Sequence, residues 1–311
     1  MIAFMFSGQG SQKPFMGKEL YENYPQVKEI YHEADGILDF KVTDICFNDD
    51  PRLNDTEYTQ PTLLTTCIAI STLLDVKADY ALGLSLGEYT ALVHSGALNF
   101  QEAVKLVNKR GKFMTEAVKN LEDTGMYACI SMDEKDIKEA INMAGKIGVI
   151  EISNYNTNGQ IVVAGEMKAL EVFLEEVKEK GKTIKLNVSG PFHTSLLEEA
   201  SVNLSKELDK ITFNDFTIPV VTNLNGKIVT KEDLKPTLTR QVKESVKWQQ
   251  SIEFLLNEGV DTFIEIGPGK TLSSFVKKIN RKVNIINIED IKSLEKAKEI
   301  LKDMVQESKN E

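Results

Sequence analysis

Gly83-Leu84-Ser85-Leu86-Gly87 is the stretch that decides how this chain folds. Residues 78–84 read as a short apolar strand running into it, and residues 86–94 as a helix leaving it. G-x-S-x-G needs that context. The turn is tight enough to demand small neighbours, and it lifts the serine hydroxyl into the open. The helix start brings the Leu86 backbone N–H and a positive partial charge towards any oxyanion formed there. A corner of small residues serving only packing is the plainer alternative, because so short a motif recurs easily by chance. The strand before and the helix after favour Ser85 as a nucleophile.

Outward from this corner the pattern alternates. Ile2–Phe6 is an apolar run that reads as a buried strand, ending in the polar loop Ser7-Gly8-Gln9-Gly10-Ser11-Gln12. Helices are predicted over 18–34 and 60–74, the second with Thr59 as its N-cap and Pro61 near its first position. Another follows the elbow over 101–119. Strands over 126–131, 149–154, 160–164 and 183–187, with helices over 134–144 and 167–180, spell β-α-β-β-α-β, the ferredoxin-like arrangement. Beyond it, strands over 218–222, 261–266 and 283–287 alternate with helices over 195–209, 232–245, 250–258, 271–280 and 291–307. Asn225-Gly226 marks a tight turn, and the polar tail from Glu307 is expected to fray. Such alternation implies an α/β fold with a mostly parallel sheet covered on both faces and ligands at the carboxyl ends of its strands. Residues 1–123 and 190–311 are expected to form one large domain, with 124–189 as a small inserted one.

Composition removes whole classes of function. The 311 residues carry 37 Lys+Arg against 47 Asp+Glu, a net charge of −10, which argues against wrapping nucleic acid. Cys46, Cys67 and Cys129 are far apart, so neither a zinc ribbon nor a disulfide scaffold fits. His32, His94 and His193 have no H-E-x-x-H spacing, and no metal site is expected. The apolar start meets Gly8 too soon for a signal peptide or membrane span. A cytoplasmic protein is the expectation.

A serine nucleophile needs a general base. His32 lies in a predicted helix among Tyr31, Glu33 and Asp35 and reads as a solvated face residue. His94 is nine residues beyond Ser85 on one helix, roughly 13 Å along its axis at the usual rise. His193 remains, in the breaker-rich loop Gly190-Pro191-Phe192-His193-Thr194-Ser195. A helix start just after it disfavours the imidazolium and keeps the ring a proton acceptor. A histidine merely packing at a domain junction is the alternative. No third acid is evident. Arg110 sits at the edge of the apolar stripe Ala103, Val107, Gly111, Met114 and Val118. A guanidinium cannot shed its charge, so burial demands an anion. That anion is either a protein carboxylate or a substrate carboxylate held bidentately.

Taken with their flanking text, these residues resemble the malonyl-CoA:acyl carrier protein transacylases. The likeness runs through Phe6–Gln12, Thr59-Gln60-Pro61, Gly83–Tyr89 and Arg110-Gly111-Lys112-Phe113-Met114. It continues through Asn154-Tyr155-Asn156, Gln160–Gly165, Pro191-Phe192-His193 and Glu265-Ile266-Gly267-Pro268-Gly269-Lys270. The resemblance implies a large α/β-hydrolase-like domain carrying the small ferredoxin-like one. It implies Ser85 as nucleophile and His193 as general base and acid. It further implies Arg110 as clamp for the malonyl carboxylate and the backbone N–H groups of Gln9 and Leu86 as oxyanion hole. The backbone carbonyl of Gln241 is implied to steady the histidine, which would account for the missing acid. The substrate implied is malonyl-CoA, with no cofactor, and the partner is acyl carrier protein in fatty acid biosynthesis. Leu84 departs from the histidine common at that position in the family.

Gly267-Pro268-Gly269-Lys270-Thr271 looks like the end of a phosphate loop, but the full motif needs glycine at Ile264. A strand-to-helix turn is the better reading. An acidic enzyme meeting an acidic carrier needs a local basic patch, for which Lys277, Lys278, Arg281 and Lys282 are candidates. The rival functions are a stand-alone malonyl acyltransferase serving a polyketide synthase, a serine thioesterase or hydrolase, and a non-catalytic carrier-binding module.

Overall fold

The computed structural model describes residues 1–121 and 123–307, so the rest of the tail expected to fray lies outside the described residues. It divides into two compact units. The first comprises Met1–Asn108, Phe213–Val220 and the chain from Leu255 onward; the second comprises Lys109–Thr212 and Val221–Phe254.

A five-stranded sheet contains β1 (Ile2–Phe6), β2 (Tyr80–Gly83), β7 (Val220–Val221), β8 (Thr262–Ile266) and β9 (Asn284–Ile288), in the order β7-β2-β1-β8-β9. β1 pairs in parallel with both β2 and β8, and β8 with β9. The inner strands are buried and largely apolar, as in parallel sheets generally. Glu265 is the one charged residue in β8, fully buried. Its carboxylate accepts the N–H groups of Leu272 (3.0 Å) and Ser273 (2.8 Å) at the start of the helix Thr271–Ile279. The Gly267–Lys270 stretch is therefore a strand-to-helix turn, capped by Glu265 and braced by Ser7 Oγ, which donates to the Ile266 and Pro268 carbonyls at 3.4 Å.

The second unit contains an antiparallel sheet of β3 (Thr124–Ile130), β4 (Ile150–Thr157), β5 (Gln160–Glu166) and β6 (Lys182–Lys185), in the order β4-β5-β3-β6. Helices Glu134–Ala144 and Met167–Val177 pack into a core with Ile150, Ile152, Ile161 and Val163.

Proline explains how two of the predicted helices differ from those observed. The stretch 18–34 breaks into Lys18–Asn23 and Pro25–Asp35, because Pro25 pushes Tyr24 to extended backbone at φ −124 and ψ 115. The helix expected from 60 starts at Thr56 behind Asp55, leaving Pro61 in its interior. Pro61 cannot donate to the Glu57 carbonyl one turn back; Asn108 Nδ2 does so instead, at 3.0 Å. The helix expected over 232–245 is only Leu234–Gln241. Residues beyond it are drawn to β4, with Val246 N–H donating to the Ser153 carbonyl and Tyr155 N–H to the Val246 carbonyl, each at 2.8 Å. Similarly, 195–209 opens as a 3-10 turn, Ser195–Leu197, before the helix Glu198–Leu208.

Candidate active site

In the first unit, β2 ends at Gly83 and the helix Leu86–His94 begins two residues after Leu84. Ser85 between them sits at φ 55 and ψ −103, a left-handed backbone that a side chain rarely tolerates. Such strain persists only where its surroundings enforce it, and here they are backbone. A Cβ on Gly87 would lie 2.1 Å from the Phe6 carbonyl oxygen, and one on Gly8 would lie 2.4 Å from that of Leu84. The elbow and the loop after β1 thus touch main chain to main chain, which places Gln9 one residue from that contact. Leu86 is the first residue of the helix, so its N–H belongs to the donors that a helix start leaves without an intrahelical acceptor. The Gln9 loop is fixed locally: Gln9 Nε2 donates to Thr56 Oγ1 at 2.9 Å, and Ser11 Oγ to the Gly8 carbonyl at 2.8 Å.

The other two histidines of the chain have structural surroundings. His94 packs its ring against Phe4 and Phe6, with centroids 5.2 and 5.4 Å away, and burial lowers its pKa. His32 is exposed, its Nε2 2.8 Å from Tyr21 Oη.

The second unit brings Arg110, His193 and Gln241 together. Arg110, on the helix Phe100–Lys119, is buried at 1% exposure, deeper than a stripe-edge position suggests. One of its terminal nitrogens donates to Gln241 Oε1 at 3.0 Å. His193 is 4% exposed and also left-handed, at φ 61. Its Nδ1 lies 2.7 Å from the Gln241 carbonyl oxygen. A carbonyl only accepts, so Nδ1 carries the hydrogen and Nε2 the lone pair. The imidazole pKa is lowered to about 4, first by burial and then by the Arg110 charge, against the opposing pull of backbone bonds at Gln241 and Glu244. The ring is held neutral chiefly because it is dry. Gln241 uses both its ends, and its side-chain bond to Arg110 had no sequence signal. Neither did Thr56 behind Gln9.

Among the described residues, no group of His, Cys, Asp or Glu side chains is placed to hold a metal ion. Cys46, Cys67 and Cys129 are buried thiols; burial pushes Cys46 and Cys129 up to about 12. No helix of the described residues is long and apolar enough to cross a membrane.

A mixed α/β protein with a parallel sheet, a second antiparallel sheet and a serine on a strand-to-helix elbow, 9% exposed rather than out in the open, has the build of an acyl-transfer enzyme. The chain belongs to the acyl transferase family, whose domain matches residues 3–308. It is 43% identical over 310 residues to the malonyl CoA-acyl carrier protein transacylase of Bacillus subtilis, covering 97% of this chain and 98% of the other. The solved structure of the malonyl CoA-acyl carrier protein transacylase from Clostridium perfringens is 46% identical, covers 99% of each chain and superposes with a TM-score of 0.96. Another similar structure is a type II polyketide-synthase acyl-carrier protein in complex with its malonyl-transacylase. It is 33% identical, covers 94% of this chain and 97% of that one, and has a TM-score of 0.90.

Proposed function

We propose that this enzyme transfers the malonyl group of malonyl-CoA to the phosphopantetheine thiol of acyl carrier protein through a malonyl ester on Ser85. His193 Nε2 takes the Ser85 hydroxyl proton as Oγ attacks the thioester carbonyl. The N–H groups of Gln9 and Leu86 receive the oxyanion. Collapse breaks the C–S bond, and the departing CoA sulfur takes the proton back from His193. In the second half the carrier thiol gives its proton to the same nitrogen and attacks the ester; the C–O bond to Ser85 breaks, and Oγ takes the proton back from His193. Arg110 holds the free malonyl carboxylate through both halves, and no cofactor takes part.

The observation that carries this proposal is Gln241, which meets His193 at 2.7 Å and Arg110 at 3.0 Å. A base held neutral beside a buried cation suits a substrate with a thioester at one end and a carboxylate at the other. The transacylases similar in sequence support the same substrate and partner. The pathway proposed is fatty acid biosynthesis, in the cytoplasm. A second reading, service to a polyketide synthase, has the support of the similar complex with a type II polyketide carrier.

The domain scheme proposed is a large α/β-hydrolase-like domain, 1–123 and 190–311, with a ferredoxin-like domain over 124–189. The strand order β4-β5-β3-β6 and a hydrophobic core drawn entirely from Cys129 to Val177 support the small domain.

The test is incubation with malonyl-CoA followed by fatty-acid and polyketide carriers, read by intact mass. Wild type should gain one malonyl group and pass it on; Ser85→Ala should gain none. An adduct surviving in Ser85→Ala would place the nucleophile elsewhere, and hydrolysis without any thiol acceptor would favour a thioesterase.

A further inference from the structure

Strand β4 carries a glutamate that no step above uses. Glu151 is half-buried, and its carboxylate takes two bonds from a single residue: the Ser195 N–H at 2.8 Å and the Ser195 hydroxyl at 2.6 Å. Ser195 opens the 3-10 turn that leads into the helix Glu198–Leu208, so its N–H is a helix-start donor in need of an outside acceptor. Thr194, at the capping position, does not supply one; its hydroxyl donates to the Pro191 carbonyl at 2.6 Å. A carboxylate is the strong acceptor for that end.

Two residues before Ser195 stands His193 with its left-handed backbone. A non-glycine residue stays in that region only when its neighbours over-determine it. The imidazole is tied to Gln241, while the chain leaving the loop is tied to β4 through Ser195. The same strand also fixes the segment after Gln241. Val246 donates its N–H to the Ser153 carbonyl and accepts the Tyr155 N–H, and the Ser245 hydroxyl donates to the Ile152 carbonyl. β4 is thus a common template for the histidine loop and for the segment that follows the histidine's hydrogen-bond partner.

We propose that Glu151 is a positioning residue for acyl transfer: by clasping Ser195 to β4 it holds His193 in its left-handed conformation and within reach of the Gln241 carbonyl. This rests on His193 being the base. Glu151 itself touches neither substrate nor reacting atoms.

The experiment compares steady-state malonyl transfer and thermal melting for wild type, Glu151→Ala, Glu151→Gln, Ser195→Ala and the Glu151→Ala/Ser195→Ala pair. Misplacing a catalytic group by about an ångström costs up to roughly a hundredfold in rate. Glu151→Ala should therefore lower kcat about tenfold or more, with KM for malonyl-CoA within about threefold. Glu151→Gln keeps an oxygen for the Ser195 N–H and should recover to within about threefold of wild type. The double variant should be no slower than Glu151→Ala, since both changes remove one clasp. An unchanged kcat in Glu151→Ala, equal losses in the Ala and Gln variants, or additive losses would each overturn the proposal. If Glu151→Ala does not fold, Glu151→Gln and Ser195→Ala decide it: full activity in Ser195→Ala together with a large kcat loss in Glu151→Gln overturns it. A wild type that forms no malonyl adduct, or a His193→Ala variant at full rate, instead overturns the assignment of His193 on which it stands.

Discussion

Gln241 serves two neighbours at once, with its backbone oxygen for His193 and its amide oxygen for Arg110. The first bond fixes the tautomer, so a carbonyl does the orienting that an aspartate does in a serine triad. It adds no negative charge, and the imidazole pKa falls to about 4 under burial and the Arg110 charge. The sign follows directly. His193 binds a proton less readily in the folded chain than free in water, so the proposed base stays unprotonated as pH falls through 6. The acid limb of kcat/KM for malonyl-enzyme formation should lie well below pH 6; a limb at the ordinary imidazole pKa would contradict the dry pocket. The same fall separates folded from unfolded protonation, so stability should drop as pH goes from about 6.5 towards 4, because the unfolded chain takes up the proton first. Arg110 supplies the second residue-level prediction. Stranding a buried charge costs about 3 kcal/mol or more, near two decades in rate. Arg110→Ala should then reduce malonyl transfer at least roughly a hundredfold, and acetyl transfer far less. Equal losses with both acyl groups would remove the clamp.

At the scale of elements, the elbow works because strand and helix meet without side chains between them. The helix Leu86–His94 begins where predicted, and Gly87 explains the strict requirement at its second residue. Its Cβ would sit 2.1 Å from the Phe6 oxygen, so Gly87→Ala must push the helix off β1. Overpacking of this kind costs about 1–3 kcal/mol, and for a chain this long should lower Tm by a few degrees, roughly 2–4 °C per kcal/mol. Activity should fall further than stability, because Leu86 moves with Gly87; an unchanged melting curve would show that the contact is slack. Two of the helices misjudged from sequence turn on where backbone bonds go. Periodicity reports which face is apolar, but it does not report which side chain substitutes for a missing donor. Asn108 supplies the bond that Pro61 cannot, and so lets a helix run through a proline. Near Val246 the reverse happens: a β-type bond to Ser153 outbids another turn of helix.

For the whole molecule, the proposed function sets a problem: a chain of charge −10 would have to bind an acidic carrier. Lys277 and Lys278 close the helix Thr271–Ile279, Arg281 and Lys282 follow it, and all four are exposed. Reversing these charges should raise KM for the carrier about tenfold at low salt while leaving KM for malonyl-CoA unchanged. No change in either constant would move docking to another face. The sequence by itself determined the alternating α/β plan and the strand-to-helix turn at Ser85, and it carried the proposal of His193 among the chain's three histidines. Those rest on local patterns, namely apolar runs, breakers and spacing along one helix. The left-handed backbone of His193 and the double use of Gln241 belong to the tertiary structure. The physical reason is distance along the chain. His193 and Gln241 are 48 residues apart, and Arg110 and Gln241 are 131 apart. Hydrogen bonds across such intervals leave no periodic trace, and only the folded chain brings their donors and acceptors together.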